Sequence, residues 1–121
     1  MARLINIVMI IGIVLVSVFA AEEFYSDKYD NIDVMGILEN DRLRDQYYSC
    51  FMDTGPCTTA DMKFYKEIID ESIATKCKKC NEKQKENLNT LTDWYTKNKL
   101  DDWNAFVKKM LEDFKKKNGD Q

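Results

Sequence analysis

The sequence predicts an all-α fold, a compact bundle of five to six short helices, on three observations. From Asn31 to Gln121 apolar residues recur at helical spacing, with no sustained period-2 alternation of the kind a half-buried strand shows. One proline and four glycines leave little to interrupt helices, and the one Gly-Pro pair, Gly55-Pro56, stands between two of the periodic stretches. Segments with a single apolar face can bury those faces only against one another, and a bundle results.

The first residues set the compartment. Arg3 supplies a positive charge, Ile5 to Val18 is a largely apolar run with nothing charged in it, and Val18-Phe19-Ala20 is a small-x-small exit followed by Glu22-Glu23. That pattern predicts a secretory signal peptide over residues 1–20. The run is shorter than the roughly 20 apolar residues a membrane span needs, so no span is expected once the signal is removed. Cleavage leaves 101 residues, 21–121, enough for a single helical domain with a polar C-terminal tail.

A short helix is predicted around Val34 to Leu38. Leu43, Tyr47, Cys50 and Phe51 then mark a second, which stops at Gly55-Pro56. Thr58, three residues before Asp61, is a capping-box variant ahead of Tyr65, Ile68, Ile69 and Ile73, and this third helix should run to about Cys77. Asn81 with Gln84 repeats the capping signal before Leu88, Leu91 and Tyr95, with Trp94 alongside, and Asn98-Lys99 breaks that run. Asp101 and Asp102 favour a last helix start through the dipole, and Trp103, Phe106, Val107, Met110, Leu111 and Phe114 carry the clearest 3.6-residue stripe.

Four cysteines in an exported chain of this size imply two disulfides, for which three connectivities exist. The spacing favours Cys50–Cys57 with Cys77–Cys80, because a single turn or helix end brings each pair within bridging distance. Cys77-Lys78-Lys79-Cys80 also has the form of a redox pair, but that role calls for a βαβ setting and no strand is predicted. Zinc held by the four thiolates runs against an oxidising secretory route, so no metal is expected.

The composition excludes several functions. With no histidine, the serine and cysteine triads, imidazole metal sites and the commonest base near neutral pH are all missing. The acidic and basic side chains alternate as on solvated helix faces, so neither an enzyme nor a cofactor is expected. Arg3 leaves with the signal, so the mature chain carries 17 basic against 21 acidic side chains, net −4, and nucleic acid is not an expected partner. Lys115-Lys116-Lys117 is read as a solvated helix end.

The cysteine spacing occurs together with Lys28-Tyr29-Asp30-Asn31-Ile32-Asp33-Val34, Asp41-Arg42-Leu43, Gly55-Pro56-Cys57-Thr58 and the stretch from Lys76-Cys77 to Gln84-Lys85. With these motifs the chain, from about Phe24 to Met110, resembles the insect chemosensory proteins, the OS-D family. The resemblance implies a six-helix bundle with two small-loop disulfides around an internal apolar channel, and a secreted monomer is expected. It also implies a carrier of small lipophilic molecules: long-chain fatty acids, esters, alcohols and semiochemicals. Three departures stand out. Asp70 takes the place of a usual proline, which predicts a straighter third helix. The span from Cys57 to Cys77 is one residue longer than the commoner form. Thr92, Tyr95 and Thr96 replace more aliphatic residues, which predicts a narrower or more polar channel.

Candidate ligand-binding residues are the apolar and aromatic positions Tyr29, Ile37, Leu43, Tyr47, Ile68, Leu91, Trp94 and Tyr95, with the Tyr29 or Tyr47 phenol placed to bond a ligand head group. Each taken singly reads first as core packing, and the resemblance tips the set as a whole toward a pocket. A rival reading is a secreted module that binds a receptor or other secreted protein through an exposed aromatic surface around Trp103 and Tyr95.

Overall fold

The computed structural model describes residues 23–119. The expected signal peptide, residues 1–20, lies outside the described residues. The described residues form five helices in order: α1 Val34–Glu39, α2 Asp41–Phe51, α3 Ala60–Ala74, α4 Glu82–Asn98 and α5 Leu100–Lys117. Among the described residues there is no strand, and no helix is long and apolar enough to cross a membrane.

Side-chain caps set most of the helix starts. The Asp33 carboxylate accepts from the Gly36 N–H at 3.0 Å. Asn40 closes α1 and opens α2, its side-chain oxygen accepting from Leu43 N at 3.1 Å, so two helices meet at one residue. The Asn81–Gln84 capping box forms in both directions, at 2.8 and 3.0 Å. α5 has no side-chain cap. It starts from Lys99 with Asp101 and Asp102 in its first turn and Lys115, Lys116 and Lys117 in its last, matched to the helix dipole.

Two boundaries of α3 differ from the sequence reading. Thr59 is the N-cap, accepting from Met62 N at 3.3 Å, while the hydroxyl of Thr58 lies 3.6 Å from the Met62 sulfur. The helix ends at Ala74, because Lys76 and Cys77 turn into the left-handed region (φ 55° and 62°) to bring Cys77 back toward Cys80. Both disulfides have the favoured pairing, Cys50–Cys57 and Cys77–Cys80, with Cα atoms 4.9 and 5.0 Å apart. The bridged cysteines therefore offer neither a thiol nucleophile nor a thiolate ligand. At Gly55 a Cβ would lie 2.9 Å from the Ser49 Cβ, so glycine is required where the loop turns back on α2.

The most extensive helix pair is α3 with α5; α1 packs on α2 and α4, α4 on α5, and α2 on α3. Cys50, Phe51, Met62, Ile69, Phe106 and Met110 form the buried centre. Stacked rings continue it outward, with Tyr95 and Trp103 at 6.1 Å and Trp103 and Phe106 at 5.4 Å between centroids.

Two ionic features tie this core together. In the α2–α3 loop, Asp53 pairs with Lys109 of α5 at 2.7 Å and Lys66 of α3 at 2.9 Å, and these ammonium groups pull its pKa down to about 2. The pairs are solvent-screened and each contributes less than about 1 kcal/mol. Asp70 is a different case. α3 runs through it without interruption, and its carboxylate, 2% exposed, is paired among the described residues with the Lys117 ammonium at 3.0 Å. The same ammonium donates to the Glu67 carbonyl at 3.3 Å.

Candidate ligand-binding site

Each longer helix turns one stripe inward, and the four stripes meet around a cavity of about 120 Å³. Arg44, Tyr47, Tyr48 and Phe51 come from α2, and Tyr65, Ile68, Ile69 and Ser72 from α3, both at the i, i+3, i+4, i+7 spacing of one helix face. Gln84, Leu88, Leu91 and Tyr95 line it from α4, and Trp103 and Phe106 close it from α5. Short α1 lays Val34, Ile37 and Leu38 across the remaining side.

Of the eight sequence candidates, Ile37, Tyr47, Ile68, Leu91 and Tyr95 are brought together on this lining. Tyr29, Leu43 and Trp94 are not. Tyr29 sits in the turn before α1, its ring 5.1 Å from that of Phe64 and its carbonyl accepting the Tyr65 hydroxyl at 2.7 Å. Leu43 and Trp94 each stand one residue from a lining position, about 100° around the helix. Trp94 instead lies edge-on to Tyr95 at 5.1 Å and under the Arg44 guanidinium at 4.9 Å.

The lining residues outside the candidate set include two instructive kinds. Tyr48, Tyr65 and Leu88 share the helical spacing of the candidates and were accessible to the same argument. Tyr25, Arg44, Ser72 and Gln84 are polar, and hydropathy patterning gives no reason to turn them inward.

Most polar groups of the lining already have protein partners. The Tyr25 hydroxyl donates to Glu71 at 2.6 Å, and burial, reinforced by that carboxylate, raises its pKa. Tyr47 donates to Asp61, and its pKa rises through burial and then through the same carboxylate. For Asp61, burial acts upward, but hydrogen bonds from Thr59 and Tyr47 outweigh it and the pKa falls. Burial pushes Tyr65 up to about 12, with Asp30 and Asp61 adding to it, and Tyr95 up to about 12 despite the opposing charge of Arg44. These phenols are neutral at physiological pH, and those of Tyr25, Tyr47 and Tyr65 are committed as donors to protein acceptors. The Gln84 amide donates to the Ser26 carbonyl and to Asp30, both at 2.9 Å.

The expected extra polarity at Thr92 and Thr96 does not reach the cavity, since both hydroxyls donate to backbone carbonyls of their own helix, at 2.8 and 2.7 Å. Tyr95, one of the two residues on which an exposed aromatic surface would rest, is 5% exposed, and Trp103 stacks against it. Among the described residues the exposed large apolar side chains are Phe24, Met35, Leu100 and Leu111.

Residues 25–118 match the insect pheromone-binding family, A10/OS-D. The chain is 40% identical over 101 residues to ejaculatory bulb-specific protein 3 of Drosophila melanogaster, covering 84% of this chain and 77% of that one. Its structure is similar to a chemosensory protein in complex with bromo-dodecanol, with a TM-score of 0.67 and 36% identity over 71% of this chain and 85% of the other. Antennal chemosensory protein A6 of the moth Mamestra brassicae gives 0.62 and 35% identity, covering 73% and 81%. Sequence and fold agree in these comparisons, and the chain belongs to the insect pheromone-binding family A10/OS-D, the chemosensory proteins.

Proposed function

We propose that the protein is a secreted, monomeric, non-enzymatic carrier that takes up one long-chain lipophilic molecule between its helices. The observation that carries this reading is the cavity at the meeting point of four inward stripes, its walls mainly aliphatic and aromatic. The similar protein that holds bromo-dodecanol supports the ligand class. Burying about ten methylenes contributes on the order of 8 kcal/mol gross, before the entropic cost of association, which leaves room for micromolar affinity.

At about 120 Å³ the cavity is smaller than the roughly 300–1,000 Å³ of ordinary ligand pockets, so a long chain enters by widening the bundle. The covalent framework permits this. The bridges span seven and three positions in sequence, closing local loops and leaving the helix pairs around the cavity untied. Partly buried walls on α1 and α4 can then move apart, which gives access to ligands of differing length.

Titration of the mature, oxidised protein with an apolar fluorescent probe is expected to show saturable one-to-one uptake, reversed by dodecanoic or hexadecanoic acid. Uptake that is linear in probe, or unaffected by either acid, would place binding at scattered surface contacts and sink the carrier reading.

A further inference from the structure

Among the described residues that line the cavity, Arg44 alone carries a charge. Its side chain is 7% exposed as a residue, a rare degree of burial for arginine. The guanidinium is held in place on several sides. One terminal nitrogen, Nη1, donates to the Leu38 carbonyl at 3.1 Å and to Asp41 at 3.0 Å. The plane lies over the Trp94 ring at 4.9 Å. The other edge is much less satisfied: Nη2 has a 3.5 Å ion pair with Asp45, and the buried Nε–H has no acceptor. Both paired carboxylates are largely exposed, so water screens them and they offset the buried cation only in part. A buried N–H without an acceptor costs free energy that an incoming oxygen would recover.

We propose that Arg44 is the head-group determinant of the cavity, making it select long-chain carboxylates over alcohols and esters of equal length. The inference rests on the carrier reading and narrows it. A carboxylate brings two acceptor oxygens and a negative charge, which the flat Nε/Nη2 edge of a guanidinium matches in a bidentate pair. An alcohol or methyl ester offers the same chain to the same apolar wall, with an acceptor but no charge. Of the neighbouring pair at the start of α2, Arg44 lies on the lining and the apolar Leu43 does not. The phenols of Tyr25, Tyr47 and Tyr65 are committed to protein acceptors, whereas the Arg44 Nε–H is a buried donor without one.

The test compares dodecanoate, 1-dodecanol and methyl dodecanoate as competitors of an apolar fluorescent probe at pH 8, on the mature oxidised protein and on Arg44→Met and Arg44→Lys. The wild type should bind dodecanoate at least about tenfold more tightly than the alcohol or the ester, a difference of about 1.4 kcal/mol. Arg44→Met should erase that ratio, and Arg44→Lys should leave an intermediate ratio. Equal affinity for the three ligands in the wild type, or an unchanged ratio in Arg44→Met, overturns the assignment and leaves the carrier reading standing. If Arg44→Met does not fold, the wild-type ratio and Arg44→Lys still decide the matter. A protein that takes up neither probe nor any of the three ligands removes the carrier reading and this inference together.

Discussion

Replacing Lys117 by methionine is expected to lower stability by about 2–3 kcal/mol, an effect far larger than surface lysines ordinarily show. Asp70 is nearly inaccessible to water, and its charge is balanced by the Lys117 ammonium at 3.0 Å. Removing one partner of a buried pair leaves the other as an uncompensated buried charge, which costs several kcal/mol when burial is complete. The figure here sits at the lower end because Lys117 is half exposed and Lys116 stands at the same recess. Adding Asp70→Leu to the Lys117→Met variant should restore most of the loss, since a well-packed apolar side chain needs no counter-ion. Urea unfolding of the wild type, the single variant and the double variant measures this. A Lys117→Met protein as stable as the wild type would show that Asp70 is compensated by other means.

Leu91→Trp is expected to weaken binding of the probe and of twelve-carbon ligands by about 100-fold or more, close to 2.7 kcal/mol. Leu91 lies on the inner stripe of α4 between Leu88 and Tyr95, and an indole there occupies space that the ligand chain needs. The same space makes the substitution tolerable, because filling an existing cavity avoids most of the roughly 1–3 kcal/mol that overpacking costs. Ile68→Trp, from the facing wall on α3, should act in the same direction. Unfolded variants are recognised by loss of the helical circular dichroism signal. If a folded Leu91→Trp protein kept wild-type affinity, the ligand would lie outside this cavity.

Periodicity made the helices legible, and chemistry at their ends made most boundaries legible. Asn81 and Gln84 form the capping box their spacing announces, and Asp101 and Asp102 do open the last helix. The start of α3 was ambiguous in principle, because Thr58 and Thr59 are both good caps and the path of the chain out of the Cys50–Cys57 loop selects the second. Its end was hidden for a different reason. Lys76 and Cys77 take left-handed conformations that glycine usually marks, and closure of the Cys77–Cys80 bridge accounts for them instead.

The lining was legible where hydropathy and helical phase agree, as at Tyr47, Ile68, Leu91 and Tyr95. The two disagree at the pair Leu43-Arg44, where hydropathy points to the leucine and the fold places the arginine on the lining and against Trp94. Tyr25 was invisible to local pattern because long-range contacts hold it. Its backbone N–H donates to the Lys79 carbonyl at 3.0 Å, and its hydroxyl to Glu71.

The claim that this bundle encloses a lipophilic ligand is tested most directly by native mass spectrometry of the mature, oxidised protein purified from its own source, followed by denaturation to release and weigh what is bound. The account predicts one long-chain molecule per protein, with an acid in place of an alcohol or ester if Arg44 sets the head group. A protein that arrives empty and also refuses lipid and probe titrations would contradict it, and would leave the helical fold with a function at its surface.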